Sequence, residues 1–365
     1  MQISRIILKQ VRNFRDFDRA FEDGWTNRVP DALLLMGPNG SGKSTLLEVI
    51  AVLWRGVGDS VPGGDPMTDT GGARLLQSAS LAAMEVLGFE SAPLWIYADR
   101  QDATRSFAAA HTDAHRFGLQ CHLPSPLEET RGAQITGIYI PPGPSDRSKL
   151  ETQKQGEAWT NRLADQLAEN QLGKRADLPN LVHLTSESRL LLPLSEKFSV
   201  QPEPEEYQWL ARYEPITSRR GSLQNYLYNL KVVDEDRFSA IASQFNRFLV
   251  GKRLNGFDRR TGDLLVQIGN GDSHPIEELS SGEKQVLLML ATVTRWLRPG
   301  GIVLVDEPDL HLHVSLATAF VSHLRRMVAD KGGQLIIASH MPELWELFTD
   351  SHTVRLDATG KEVVR

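Results

Sequence analysis

The 365-residue chain contains a single cysteine, Cys121. One thiol excludes an internal disulfide framework and a Cys-rich zinc site, so a reducing compartment is expected. No apolar run reaches the roughly 18 residues that a membrane-spanning helix needs. The opening MQISRIILKQVRNF has too short an apolar stretch for a signal peptide, and no small-residue cleavage site follows, so a cytoplasmic location is expected. Internal repeats and sustained heptads are missing, which argues against a solenoid or a long coiled coil. Positive charge is not in excess: the net charge is −6, which argues against a generally basic nucleic-acid coat but leaves room for a local patch. A hydrophobic fraction of 41% and a charged fraction of 24% are those of an ordinary globular protein of one large or two modest domains.

What is present alternates between strand and helix patterns. ISRIILKQV and the buried run ALLLMG read as strands, and KSTLLEVIAVLWRG as a helix stopped by Gly56 or Gly58. GVGDSVPGGDPMTDTGG reads as a loop, LAAMEVLGF and PLWIYA as paired strands, QITGIYI as a strand and TNRLADQLAENQLG as a polar helix. LVHLTSESRLLLP reads as a strand turning at Thr185–Ser188, and QPEPEE as a linker. SLQNYLYNLKVVDEDRFSAIASQFNRFLV gives one or two helices, and DLLVQIGNGDSHPIEEL a hairpin turning at Asn270–Gly271. GGIVLVDEP, a helix through LATAFVSHLRRMVAD, the strand GQLIIASH and a terminal hairpin TVRLDATGKEVVR complete the chain. Strands alternating with helices at both ends predict an α/β fold with a mostly parallel sheet.

Gly37, Pro38, Asn39, Gly40, Ser41, Gly42, Lys43, Ser44 and Thr45 match G-x-x-x-x-G-K-[ST] at every fixed position, after a strand and before a helix. The glycines let backbone N–H groups nest around phosphate oxygens, Lys43 brings positive charge to the β- and γ-phosphates, and the Ser44 hydroxyl is placed for Mg²⁺. IVLVDEP ends a buried strand on two carboxylates, costly unless something uses them. Asp306 is the candidate Mg²⁺ ligand and Glu307 the candidate base for the attacking water. IIASH ends a third strand on His340, a candidate contact for the γ-phosphate. In LSSGEKQ, Ser280 and Glu283 form a capping box ahead of an apolar segment. It is either a plain helix start or an anion site built on the exposed N–H groups.

Phosphate loop, LSSGEKQ, IVLVDEP and IIASH occur in an order that resembles the ATP-binding cassette (ABC) ATPases. The resemblance implies a P-loop NTPase with an ABC-ATPase head: a mostly parallel sheet, N-terminal antiparallel strands and an inserted α-rich subdomain. It implies ATP and Mg²⁺ as cofactors and an ATP-dependent head-to-tail dimer. In that dimer Ser280, Ser281, Gly282 and Glu283 would complete the site of a second copy. The commonest signature has Gly and Gln where this chain has Ser281 and Glu283, which moves a charge next to the phosphate interface. LKQVRNFRDFDRAFEDGW resembles the opening of the RecF/SMC-like group, which implies Arg15 near the nucleotide, and DEPDLHLH resembles the ATPase of the overcoming-lysogenization-defect (OLD) proteins and their stand-alone phage-defence relatives. Transporter cassettes usually carry Asp where this chain has His313, and RecF lacks the Leu-His-Leu-His pattern.

The resemblance covers roughly 1–55 and 262–365. It implies an ATPase core at 1–58 and 262–365 around an inserted region, 59–261, of mixed strands and helices, with an α-helical subdomain at about 150–255. OLD nucleases carry a nuclease domain after the ATPase, whereas 25 residues follow His340 here, so any effector is expected to be a separate polypeptide. The leading expectation is therefore a RecF/OLD-like ATPase regulating a nuclease or toxin in anti-phage defence. The alternatives are a RecF-like DNA-repair ATPase and a transporter's ATP-binding subunit. The magnesium-sensing glutamine of such enzymes has only Gln77 and Gln134 as candidates.

Two further patterns stay open. Arg247, Lys252, Arg253, Arg259 and Arg260, interleaved with Phe245, Phe248 and Phe257, form either a nucleic-acid surface or a solvated helix with its phenylalanines in the core. His311 and His313 suit an interface better than zinc, because no carboxylate or cysteine cluster accompanies them.

Overall fold

The computed structural model describes residues 1–23, 26, 28–62, 70–99, 103–122, 134–143, 149–173, 178–192, 207–215, 222–258, 260–269 and 271–363. The chain opens with an antiparallel hairpin, β1 (Gln2–Val11) and β2 (Phe14–Ala20), then β3 (Ala32–Met36) and α1 (Lys43–Asp59). There follow α2 (Thr70–Ser78), β4 (Leu81–Leu87), β5 (Leu94–Asp99), α3 (Ala103–Ala110), β6 (His115–His122), β7 (Gln134–Ile140) and α4 (Lys149–Gln171). Next come β8 (Leu181–Leu184), β9 (Leu210–Arg212), α5 (Leu223–Val233), α6 (Glu235–Asn246) and the meander β10 (Lys252–Phe257), β11 (Leu264–Ile268) and β12 (Ser273–Pro275). The last elements are α7 (Ser281–Trp296), β13 (Ile302–Asp306), α8 (Val314–Ala329), β14 (Gln334–Ser339), the short α9 (Pro342–Trp345) and β15 (Thr353–Arg355).

The strands form two large sheets. One runs β2-β1-β4-β5-β6-β7 and is antiparallel except where β5 meets β6. The other, β15-β3-β14-β13-β8-β9, is parallel throughout. Its strands are apolar on both faces, as a covered parallel sheet requires. Leu33 and Leu35 belong to the core shared with the antiparallel sheet, while Ala32, Leu34 and Met36 belong to the core under α5–α8.

Between the sheets lies α1, which touches strands of both and is apolar nearly all round, as a helix buried on every side must be. It does not stop at Gly56 or Gly58 but runs on to Asp59. Those glycines serve close packing: a Cβ on Gly56 would lie 2.7 Å from Leu119, and one on Gly58 2.5 Å from Trp209. Trp209 stacks on Trp54 at 4.0 Å, and each indole N–H donates to the other residue's carbonyl, which ties β9 to α1.

Strands from the middle of the chain enter both sheets: β4–β7 extend the hairpin sheet, and β8 and β9 extend the parallel one. Several expectations need correction. The loop expected through Gly71–Gly72 is already helical, since α2 begins at Thr70. The strand of LVHLTSESRLLLP ends at Leu184 and the chain turns at Thr185–Ser188 as expected, with no strand assigned at 189–192. The single or double helix of 222–250 is two, divided where Asp234 ends α5 and caps α6 through the Arg237 N–H. The terminal hairpin is partial, because Thr353–Arg355 pairs in parallel with β3 and only Leu356 and Glu362 bridge antiparallel. QPEPEE and Asn270 lie outside the described residues.

Candidate active site

At the carboxyl end of β3 the chain turns sharply into α1, with Gly40 at φ +78° and Gly42, the helix N-cap, at φ +99°. Only glycine enters this region without strain, and a Cβ on Gly42 would also lie 2.8 Å from the Phe14 ring. Pro38, Asn39 and Gly40 are exposed, whereas Ser41 is buried with its hydroxyl unpaired. Lys43 is the first residue of α1, and its ammonium donates to the carbonyls of Gly37 (2.8 Å) and Pro38 (3.0 Å). Burial lowers its pKa, against the opposing pull of Glu307, Asp306 and Asp309.

Asp306 and Glu307 end β13, the second strand from β3. Burial raises the pKa of Asp306, and the neighbouring Glu307 adds to the effect; Ser44, Ser186 and Arg189 oppose it. Ser44 stands close enough to Asp306 to lower its pKa, Ser186 donates to Oδ2 at 3.3 Å, and Oδ1 is buried without a partner. Glu307 sits at φ +49°, a left-handed conformation that costs a non-glycine residue about 1–2 kcal/mol. Its N–H donates to the Ala338 carbonyl at 2.8 Å. Between β3 and β13 lies β14, and the His340 just past its end brings Nδ1 within 3.5 Å of Glu307 Oε1. Lys43, Ser44, Asp306, Glu307 and His340 thus gather at the carboxyl ends of the neighbouring strands β3, β14 and β13, where parallel sheets of this kind bind ligands.

The second motif stands apart. Ser280 caps α7 by accepting from the Glu283 N–H, and Glu283 accepts from the Ser280 N–H at 2.9 Å, so the capping box is complete. Ser280 and Ser281 are exposed, while Gly282 is buried where a Cβ would lie 2.8 Å from the His311 carbonyl. The charge of Glu283 is matched inside its own chain: Lys252 on β10 donates to both carboxylate oxygens at 3.0 Å. Burial pushes the Glu283 pKa up, but the Ser280 N–H, the Lys252 ammonium and the Ser280 hydroxyl together hold it below the ordinary value. Among the described residues the side-chain hydrogen bonds of Ser280 and Glu283 run to each other and to Lys252, and none to Gly37–Thr45.

A family described as "AAA domain, putative AbiEii toxin, Type IV TA system" matches residues 33–89 and 113–346, most of the chain, including Gly37–Thr45, Ser280–Glu283, Asp306–Glu307 and His340. The chain belongs to this family of AAA-domain ATPases. It is 29% identical over 174 residues to the "Retron Ec83 probable ATPase" of Escherichia coli, a match covering 42% of this chain and 31% of that protein. It is 24% identical over 163 residues to the "DNA double-strand break repair Rad50 ATPase" of Saccharolobus solfataricus, covering 41% of this chain and 18% of that one. The chain therefore matches about a third or less of the length of these curated relatives. Among solved structures, the SMC head domain from Thermotoga maritima aligns over 98% of this chain and 94% of that one at 14% identity and a TM-score of 0.44.

Within this AAA domain the structure brings an unexpected arginine to the phosphate loop. Arg15 lies exposed on β2. It is Arg12, in the turn between β1 and β2, that donates to the Thr45 hydroxyl at 3.4 Å, while Asn13 Nδ2 donates to the Gly40 carbonyl. That two-residue turn was the signal: a tight hairpin fixes what it presents to the loop beside it. Arg189 and Asp309 also escape the motif reading. Asp309, buried, accepts from Ser339 at 2.8 Å and so ties the loop after β13 to the end of β14. Arg189 is buried and donates to the carbonyls of Thr185 (3.0 Å), Asp306 (2.6 Å) and Glu307 (2.8 Å).

The phenylalanines of the basic stretch turn inward. Phe245 is fully buried, Phe248 packs on Phe320 and His323, and Phe257 on Tyr228 and Phe238. Lys252 is engaged with Glu283, and Arg259 lies outside the described residues. His313 caps α8 by accepting from the Ser315 N–H, and no group of three or more His, Cys, Asp or Glu suited to a metal occurs among the described residues. Gln77 is exposed on α2, and Gln134 begins β7 opposite His122. No helix of the described residues is long and apolar enough to cross a membrane.

Proposed function

We propose that this AAA domain binds ATP with Mg²⁺, closes head-to-tail on a second copy, hydrolyses the nucleotide and through that cycle regulates a separate effector, a nuclease or toxin in anti-phage defence. The observation that carries the nucleotide half is the convergence of Lys43, Ser44, Asp306, Glu307 and His340 at the carboxyl ends of β3, β13 and β14. In the proposed cycle the loop Gly37–Thr45 wraps the phosphates, and Lys43 exchanges the Gly37 and Pro38 carbonyls for phosphate oxygens. Ser44 and Asp306 would hold Mg²⁺, which when bound offsets the negative charge of the β- and γ-phosphates. The fit rests on Asp306 Oδ1: a buried acceptor without a partner is costly, and a cation relieves it. Glu307 takes the proton of the attacking water, and His340 contacts the γ-phosphate beside it.

Ser280 and Ser281, exposed at a capped helix N-terminus, complete the site of the second copy, with the Gly282 N–H as the anion donor. The Lys252–Glu283 pair supports this assignment, because a carboxylate already matched by an ammonium repels phosphate less. The toxin–antitoxin family description and the retron relative support the effector half. A second reading, a RecF-like DNA-repair ATPase that binds DNA, is favoured by the Rad50 relative. Turnover stimulated by DNA and insensitive to any effector would select it.

The test is Glu307→Gln. It is expected to keep affinity for a labelled ATP analogue, to cut turnover by about 10²-fold or more, and to shift the mass seen by light scattering to a dimer when ATP is added. Turnover equal to the unmodified protein would remove Glu307 as the base.

A further inference from the structure

Glu307 does not hold its own backbone in place. Its N–H is fixed by Ala338 and its carbonyl accepts from the Leu310 N–H at 3.2 Å, yet φ remains at +49°. The remaining constraint comes from a distant part of the sequence. Arg189 lies in the loop that leaves β8, the strand paired with β13 on the side away from β14. One nitrogen of its guanidinium, Nη2, donates to two successive carbonyls, those of Asp306 and Glu307. In an extended strand successive carbonyls point to opposite sides, so one donor cannot serve both. A shared donor demands that the chain bend between them, which is where the left-handed residue stands. The planar fork is itself aligned by Nε on the Thr185 carbonyl and by Nη1 on Met289 Sδ, 3.2 Å away on α7.

We infer that Arg189 is the positioning residue that holds the Asp306–Glu307 turn and thereby aims the Glu307 carboxylate at the nucleotide's end. The inference rests on the reading of Glu307 as the base. It assigns to the loop after β8, and to α7 through Met289, a grip on turnover that is separate from nucleotide binding. Arg189 touches no residue of the phosphate loop among its described hydrogen bonds, so its loss leaves Lys43, Ser44 and their grip on phosphate in place.

The experiment is a cycle of four proteins: unmodified, Arg189→Met, Glu307→Gln and the double variant. Each is assayed for analogue affinity, turnover and thermal unfolding. Arg189→Met is expected to bind the ATP analogue within about twofold of the unmodified protein while turnover falls by about 10²-fold, the effect of a small misplacement of a reacting group. In the Glu307→Gln background the same substitution is expected to change residual turnover by less than about twofold, because the group that Arg189 aims is already gone. An equal loss in both backgrounds, or a loss that follows analogue affinity, overturns the proposal. If Glu307→Gln is itself fully active, the assignment of the base fails first, and that outcome is read from a different protein than the one that tests Arg189. Should Arg189→Met not fold, Arg189→Lys replaces it. One ammonium cannot serve Thr185, Asp306 and Glu307 as a planar fork does, and a turnover loss confined to the background with Glu307 intact is again expected. Turnover equal to the unmodified protein overturns the proposal.

Discussion

His183 shows how a single side chain ties the stability of this molecule to pH. It lies on β8 with its ring buried, and burial, assisted by the nearby Arg212, pushes its pKa down to about 3. Glu48 is 3.8 Å from Nδ1, but that carboxylate is engaged by Arg212 at 3.0 Å and does not rescue the protonated ring. The folded protein therefore keeps His183 neutral while the unfolded chain takes up a proton near pH 6.5. Between pH 6.5 and pH 3 the unfolded state binds more protons, so stability falls as pH falls through that window. Denaturant unfolding at pH 7 and pH 5 checks this. The unmodified protein is expected to lose about 2 kcal/mol more between those two values than His183→Leu does; equal losses in the two proteins reject the account. Nothing in the sequence marks His183, because its behaviour comes from neighbours brought in by β9 and α1. His340 could be read, since it ends a strand of the same pattern as the one ending in Asp306.

At the scale of elements, motifs that are local in sequence could be read and those that depend on pairing could not. Gly37–Thr45 and Ser280–Glu283 each declare a turn and a helix start within a few residues. By contrast, the partners of β8 and β9 are set by a parallel sheet whose neighbours are far apart in the chain, and no local pattern announces them. Arg189 escapes a local reading for this reason: it acts on a loop that the sequence places elsewhere. Gly56 and Gly58 do not stop α1, because a glycine ends a helix only when its backbone turns left-handed, and both of these stay helical, packed closely against Leu119 and Trp209. Gly58→Ala separates the two effects. Helix propensity alone favours alanine by about 1 kcal/mol, while forcing a methyl against the stacked Trp209 costs about 1–3 kcal/mol. Trp209 has no easy retreat, being stacked on Trp54 and bonded to its carbonyl. A net loss is expected, read as a lower urea midpoint; a higher midpoint means that the ring moves aside.

The whole molecule presents its two motifs separately, the phosphate loop at the end of β3 and the signature at the start of α7, and a pair of copies is what would join them. Ser280→Arg is placed to block that pairing without touching the loop that binds nucleotide. In a Glu307→Gln background it is expected to remain monomeric by sedimentation when ATP is added, whereas Glu307→Gln alone is expected to dimerise. Dimerisation as tight as in the single variant would reduce Ser280–Glu283 to a helix cap.

The order of the parallel sheet also has a bearing on how the protein is made. The strand that carries the phosphate loop, Ala32–Met36, has β15 on one side and β14 on the other. Gln334, which donates to the Ile3 and Pro30 carbonyls and accepts from the Ile3 N–H, pins the hairpin sheet to the parallel one. β14, β15 and Gln334 itself all lie at residue 334 or beyond. As the chain leaves the ribosome, its first nucleotide-binding strand is an apolar ribbon with both edges bare, the kind of segment that pairs with the wrong neighbour. It acquires its proper flanks only when nearly the whole described length has been translated. A product stalled before β14 therefore lacks both flanks of the strand that carries Gly37–Thr45, and lacks the strand end that brings His340 beside Glu307.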